Sequence, residues 1–324
     1  MRKTIRYAAL VLGVALGLGM VAPAEGAGAT TLSVMSFNVY QLPWIAAPGT
    51  ADKTARAAAA ERTIRAQDPD VLVLNEAFSA QAEQLRARLA DRWPHQTPLV
   101  GQRCAASGGW TTVNGNCSNS PVVVNGGVTV LSRYPITEQH QLVFTDSYFG
   151  TSDYFSNKGA ALARIVVDGR PVWVAGTHLQ ADEGPKTLPK AHQVRMAQLG
   201  EIRDLVAKYA PVVEPVLIGG DLNIERWAGE DRRDELGRSQ LRQGEAIVDG
   251  SLGTAPAGEY TFDATTNPLA AKSVEEGYRD SLDYLGTLRG NGRPPAEVGP
   301  VRLVHHDDDT IPSDHYPVVT LIKY

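Results

Sequence analysis

The chain has 324 residues and a formal charge of −5, a length that suits one large α/β domain or two small ones. No cluster of lysine and arginine stands out, which disfavours a protein that works by neutralising a broad phosphate surface. That balance leaves room for a nuclease whose phosphate contacts are few and local.

Arg2, Lys3 and Arg6 precede the apolar run "AALVLGVALGLGMVA", which ends at Ala22-Pro23-Ala24. A basic start, a short hydrophobic stretch and a small-x-small site describe a secretory signal peptide over residues 1–24. The run is short for a spanning helix, the competing reading, and no later stretch is apolar enough to cross a bilayer. The expected product is a secreted, extracellular protein made of one catalytic domain over 25–324. Cys104 and Cys117 flank the Gly/Ser/Asn-rich "CAASGGWTTVNGNC", and in an exported protein a disulfide closing this loop is the expected state.

"TLSVMSFNVY" reads as the first strand, and the alanine-rich "ADKTARAAAAERTIRAQ" as a helix that stops at Asp68-Pro69. "DVLVLNE" follows as a buried strand and "SAQAEQLRARLADR" as a second helix. "GGVTVLS", "ALARIVV" and "PVWVAGTHL" are strands, the last two joined by the turn "DGR". "LPKAHQVRMAQLGEIRDLVAKYA" is the longest helix, with Val194, Leu199, Ile202, Leu205 and Val206 on one side. It leads into the strand "PVLIGG", and later strands are "LDYLGTL", "PVRLVHH" and "YPVVTLIKY". Helices alternate with strands early and hairpins dominate later, which predicts a mixed-sheet α/β protein. No linker, repeat or low-complexity tract divides it.

Acids, amides and histidines recur where these apolar runs begin or end. Asn38 ends the first strand, Glu76 ends "DVLVLNE" and His178 ends "VWVAGTH". Asp221 and Asn223 follow "VLIGG", Asp283 sits within "SLDYL", and Asp314-His315 precede the final strand. Each alone has a plain structural reading as a cap, an Asx turn or a hydrogen-bonded core histidine. The same placement across at least five segments points instead to a ligand site on the rim of the sheets. Such a set suits metal-assisted attack of water on phosphorus: hard oxygen ligands such as Glu76 suit Mg²⁺, and histidine suits proton transfer near neutrality. "SDH" is no Ser-Asp-His relay, because three adjacent residues in an extended chain point alternately. "HHDDD", His305 to Asp309, reads as a solvated loop. Lys158 in "YFSNKGA", at a strand entrance, is a surface lysine or a contact to a substrate phosphate.

Taken in order, "SFNV", "LNEAF", "GTHL", "GGDLN", "LDY" and "SDHYPV" resemble the motifs of the endonuclease/exonuclease/phosphatase superfamily. The resemblance spans nearly the whole chain after residue 24. It implies the DNase I-like fold, a four-layer αββα sandwich of two mixed β-sheets flanked by helices. "FSNKGA", "GTHLQAD" and "TFDATTNPLA" before "SLDYL" are more specific and look like the secreted bacterial sphingomyelinases C.

That resemblance implies hydrolysis of sphingomyelin to ceramide and phosphocholine. Glu76 would be the principal Mg²⁺ ligand, assisted by Asn38, with Mn²⁺ or Co²⁺ as substitutes for Mg²⁺. Asp221 and Asn223 would orient the phosphate and the attacking water. His315 matches the family's general base, Asp283 its orienting carboxylate, and His178 the group that stabilises the pentacoordinate phosphorus or aids the leaving oxygen. Asp314 would complete the polar wall and Lys158 would touch the substrate. The substrate would be reached at a membrane surface by a peripheral monomer, with no protein partner and no nucleic acid.

Two departures stand out. Asn125 precedes "GGVTVLS" where the family's better-known members carry an acid. The aromatic membrane hairpin expected before "SDH" is missing from "GTLRGNGRPPAEVGPVRLVHHDDDTIP", so docking would use another surface, such as Trp44-Ile45 or Tyr148-Phe149. A secreted nuclease on the same scaffold, a broader phospholipase C, and a membrane-binding protein without catalysis are the competing readings.

Overall fold

The computed structural model describes residues 29–43, 52–105, 110–120, 123–183, 188–226, 233–290, 292–294, 296–306 and 309–324. The expected leader, Trp44-Ile45 and the pair Asp307-Asp308 lie outside the described residues.

The first part of the chain holds β1 (Thr31–Gln41), α1 (Lys53–Gln67), β2 (Val71–Ala77), α2 (Ala80–Leu89), β3 (His95–Gln96), β4 (Thr111–Val113), β5 (Thr129–Ser132) and β6 (Ile136–Val143). Next come β7 (Gly159–Val167), β8 (Arg170–His178), α3 (Leu188–Tyr209), β9 (Val216–Asp221), α4 (Arg233–Val248) and β10 (Gly250–Gly253). The last part holds β11 (Phe262–Asp263), β12 (Arg279–Asp280), β13 (Asp283–Leu288), β14 (Glu297–Val298), β15 (Arg302–Leu303) and β16 (Val318–Lys323).

One sheet has the order β14-β16-β1-β2-β5-β3, with β15 also on β16; the other runs β10-β13-β9-β8-β7-β6-β4. Both are mixed, since β1 pairs with β2 and β8 with β9 in parallel while their other neighbours are antiparallel. The period-two alternation of each strand decides the layers. On β2, Val71 and Val73 enter a core shared with Ala161, Ala163, Val174, Leu217 and Leu285 of the second sheet. Leu72 and Leu74 turn the other way and pack with Ala57, Ala60 and Ile64 of α1 and Leu85 and Leu89 of α2. On the far side, Trp173, Ala175, Val216 and Ile218 meet Leu199, Ile202, Leu205 and Val206 of α3 and Leu241 of α4. Helix pair, sheet, sheet, helix pair: this is the expected αββα sandwich.

Local chemistry explains the ends of the elements. Asp52 caps α1 through the Ala55 amide, and Asp68, at φ 51°, stops it before Pro69. The β7–β8 hairpin closes on Asp168-Gly169, both at positive φ, the dipeptide a tight two-residue turn demands. The disulfide joins Cys104 to Cys117 with a Cα–Cα distance of 5.6 Å.

Two expectations need correction, and one helix is new. The stretch Pro300–His306 forms only the two-residue β15, because it pairs with β16 at Arg302 and Leu303 and then leaves the sheet. α2 ends at Leu89, short of Arg92. α4 carries little helical signal in the sequence because Gly237 and Gly244 interrupt a polar run. Gly244 has a structural reason: a Cβ there would lie 3.0 Å from Leu199 Cδ1, so it lets α4 close on α3.

Candidate active site

β1, β2, β8 and β9 release their chains at one rim of the sandwich, antiparallel β13 begins there at Asp283, and the polar residues noted above meet there. β1 carries a register shift between Asn38 and Gln41, the local kink by which a strand re-aims a side chain. Asn38 is fully buried; its Nδ2 donates to Asp221 Oδ2 at 3.0 Å, and its Oδ1 accepts from the Tyr40 amide. Tyr40, Glu76 and Asn223 hold positive φ of 47°, 54° and 51° without being glycine, a strained backbone that clusters at sites of function.

Asp221 is the hub. Its Oδ1 accepts from the Asn223 amide at 3.0 Å, so the Asx turn and the paired side chains are one device: the turn aims them. Asn223 Nδ2 donates to the Leu179 carbonyl at 3.0 Å. Before this turn, Gly220 sits at φ 150°, where a Cβ would fall 1.8 Å from the Thr177 carbonyl oxygen. Only glycine permits β9 to lie so close to β8 at its functional end.

His315 donates or accepts through Nδ1 at 2.7 Å from Asp283 Oδ2, and its Nε2 lies 3.7 Å from Asp221 Oδ2. Both residues are buried. Burial opposes a charge on His315, but Asp283, Asp221 and Asp314 outweigh it and hold its pKa well above the usual histidine range. Burial likewise pushes Asp283 up to about 6, against the pull of His315. The pair is therefore a charge-assisted hydrogen bond with the proton on the ring. Thr261 Oγ1 braces it by accepting from the Leu282 and Asp283 amides. The Phe262 ring packs edge-on to His315 at 5.0 Å.

His178 has the opposite character. Lys158 Nζ can only donate, so at 3.0 Å it makes His178 Nε2 an acceptor and leaves the proton on Nδ1. Burial, Lys158 and His315 hold the His178 pKa well below the usual range, which keeps the ring neutral. Its Nδ1 is buried with no hydrogen-bond partner among the described residues. Lys158 also pairs with Asp153 at 2.7 Å and donates to the Leu179 carbonyl, so it is a buried, anchored lysine and no surface residue.

Glu76 joins these networks only through Asn38. Its Oε2 is buried with no hydrogen-bond partner, and burial together with Asp314 raises its carboxyl to about 8. Asp314 is itself raised by burial and is held by Ser313. An orphaned carboxylate beside a second buried acid fits a hard divalent cation, whose charge would reverse the cost of ionising both. Asn38 Oδ1 keeps a second lone pair for such an ion. The ligand atoms of Asp221, Asp283 and His315 also lie within 4.8 Å of one another, close enough to surround a metal. The short His315–Asp283 contact already uses two of those donors.

The sequence reading overlooked Asn75. Its Nδ2 donates to the Thr177 carbonyl at 2.6 Å and its Oδ1 accepts from the Asp221 amide at 3.2 Å, which ties the two sheets together under the site. An amide inside the apolar run "VLVLNE" was the available signal. Ser313 serves as a brace, donating to the Asn38 carbonyl at 2.6 Å and accepting from the His315 amide. Asn125 Oδ1 accepts from the Gly127 amide and so shapes the turn into β5. His306 donates to the His315 carbonyl, while His305 is exposed.

Residues 35–315 match the Endonuclease/Exonuclease/phosphatase family. A curated sphingomyelinase C of Bacillus cereus is 34% identical over 303 residues, covering 91% of this chain and 87% of its own length. The solved sphingomyelinase C of Streptomyces griseocarneus superposes with a TM-score of 0.69 at 31% identity, over 90% of this chain and 99% of that one. A variant of beta toxin from Staphylococcus aureus, solved with bound magnesium ions, gives a TM-score of 0.75 at 26% identity, over 90% and 99% of the two chains.

Proposed function

The chain belongs to the endonuclease/exonuclease/phosphatase family and, within it, to the sphingomyelinases C, and from that membership we propose a secreted, Mg²⁺-dependent phosphodiesterase that hydrolyses sphingomyelin to ceramide and phosphocholine. The observation that carries the chemistry is the juxtaposition of a buried His315–Asp283 pair with a Glu76 carboxylate whose Oε2 has no partner among the described residues.

Glu76, with Asn38, would hold the ion, whose charge when bound neutralises phosphate oxygens and offsets the surrounding carboxylates. With that field offset, His315 can give up its proton and act as general base. Asp283 fixes the ring through Nδ1 and stabilises it when it charges again. Nε2 faces Asp221, so a water held between Asp221 and Asn223 is within reach of it. As that water attacks phosphorus, its proton passes to Nε2. The ceramide oxygen then departs as the phosphorus–oxygen bond breaks, and a proton must reach it. His178 Nε2 lies 3.4 Å from the Asp221 oxygen that His315 also faces and accepts from the Lys158 ammonium; this pair would stabilise the charge on the departing oxygen, which takes its proton from water. The enzyme would work as a peripheral monomer on a phospholipid surface; among the described residues no helix is long and apolar enough to cross a membrane.

The decisive measurement is a headgroup-release panel with sphingomyelin, phosphatidylcholine, phosphatidylethanolamine and DNA. Phosphocholine release from sphingomyelin that needs Mg²⁺ and stops with EDTA is the expected result. Cleavage of DNA without lipid turnover would replace the lipid reading with a nuclease.

A further inference from the structure

The loop between β6 and β7 presents aromatic rings to solvent in a way the fold itself does not need. Phe149 is 75% exposed, Phe155 59% and Tyr154 39%, among the few large apolar side chains exposed in the described residues. They form a ladder, Phe149 edge-on to Tyr154 at 5.0 Å and Tyr154 edge-on to Phe155 at 5.3 Å. Tyr148, by contrast, is half-buried. Ordered aromatics clustered in water are costly unless something covers them.

The loop is not a loose excursion. Asp153 and Phe155 bound a single 3₁₀ turn, with Asp153 facing inward to Lys158 and its aromatic neighbours facing out. The Tyr148 amide donates to Gln180 Oε1 at 2.9 Å, the Ala181 amide to Asp153 Oδ2 at 2.6 Å, and the Ser152 amide to Glu183 Oε1 at 2.5 Å. All three bonds reach the segment that directly follows His178. Phe155 is also only three residues from Lys158, at most ~10 Å along an extended chain. The ladder thus borders the same rim as the candidate active site and is stapled to it.

Charge selects what could cover it. From Thr145 to Asn157 the sequence contains no lysine or arginine and two aspartates, Asp146 and Asp153, and the chain as a whole is acidic. An anionic surface is disfavoured, whereas the interface of a zwitterionic bilayer accepts aromatic rings at the depth of its headgroups. We propose that Phe149, Tyr154 and Phe155 form the docking surface by which this protein inserts into neutral, phosphocholine-bearing membranes, in the role the missing hairpin would otherwise fill. The proposal rests on the phosphodiesterase reading for its substrate but not for its binding measurement.

The test compares wild type with Phe149→Ala/Phe155→Ala in flotation with sphingomyelin–phosphatidylcholine vesicles, in EDTA so that no turnover occurs. The double variant should bind roughly thirtyfold more weakly, and wild-type binding should change little between low and high salt. With Mg²⁺, both proteins should hydrolyse soluble p-nitrophenylphosphorylcholine equally, while the variant loses activity on vesicles. Phe149→Trp should be quenched by brominated acyl chains beyond the wild-type background. Equal flotation of the two proteins, or no added quenching, overturns the proposal. Equal loss on the soluble substrate overturns it too, since the loop would then be part of the site. A wild-type dimer that the double variant dissolves would assign the patch to a second copy. Patch-dependent flotation by a wild type that cleaves no phosphodiester would leave docking standing and remove the enzymatic reading.

Discussion

Two groups of carboxylates share one rim and behave in opposite ways. Asp283 and Asp221 face His315, whose imidazolium balances them from within the chain. Among the described residues Glu76 and Asp314 have no cation in hydrogen-bonded contact and feel the charge of His315 only at a distance, and Glu76 Oε2 has no partner. Arg56 is a neighbour of both, yet its Nη1 donates to the Tyr40 carbonyl and the residue supplies charge only at a distance. The difference teaches that one half of the site carries its own counter-ion, and on the proposed function it would exchange a proton while the other half would receive a cation from outside. Asn38 links the halves through its bond to Asp221.

The largest expected effect comes from removing the internal cation. His315→Ala should lower turnover by roughly a thousandfold while circular dichroism stays native. Asp283→Asn should cost less and should move the acidic limb of the rate profile to lower pH. Asp283 is the first of the three carboxylates that raise the His315 pKa, so its loss lets the ring deprotonate at lower pH. A profile that stays in place would mean that another group acts as the base.

The external half is tested by Glu76→Gln. A carboxyl raised from 4.5 to about 8 on folding binds more protons in the folded state than in the unfolded state across that window. Metal-free stability should therefore be highest below about pH 4.5 for this group and fall as pH rises toward 8. The Gln variant should lack that part of the decline. Mg²⁺ at about a hundred times its Kd should stabilise wild type by about 2.7 kcal/mol, and the variant far less. Equal Mg²⁺ stabilisation in both would shift the ion to the Asp221–Asp283–His315 group.

Much of this was legible because β-strands broadcast their ends. The apolar runs before Glu76, His178 and Asp221 marked buried strands, and a polar residue closing each run marked the rim. The pairing of Asp283 with His315 was given by family likeness, not by periodicity, since no spacing rule brings residues 32 apart to 2.7 Å. Lys158 read equally well as solvated because its partner Asp153 lies in a loop with no regular pattern. The aromatic ladder was half visible: Phe149 could be named, but exposure of Phe155 depends on which way one 3₁₀ turn faces. Asn75 was hidden by its neighbour. Two polar residues in succession at a strand end point to opposite faces, and the acid carries the stronger chemical signal.

That hidden amide offers the smallest effect and the sharpest comparison. Asn75 stands next to Glu76 on β2, yet its side chain reaches across to Thr177 and to the Asp221 backbone on the other sheet. Asn75→Leu keeps the volume and removes both bonds, leaving a buried carbonyl and a buried amide unpaired. The expected cost is about 2–4 kcal/mol in urea unfolding. If Asn75 only glues the sheets, turnover per folded molecule will be unchanged. If it also fixes Asp221 relative to Glu76, kcat should fall several-fold while Mg²⁺ stabilisation persists, because Glu76, the proposed ligand of the ion, remains in place. Loss of the Mg²⁺ response together with kcat would show that the two halves are one unit, and the division between them would have to be abandoned.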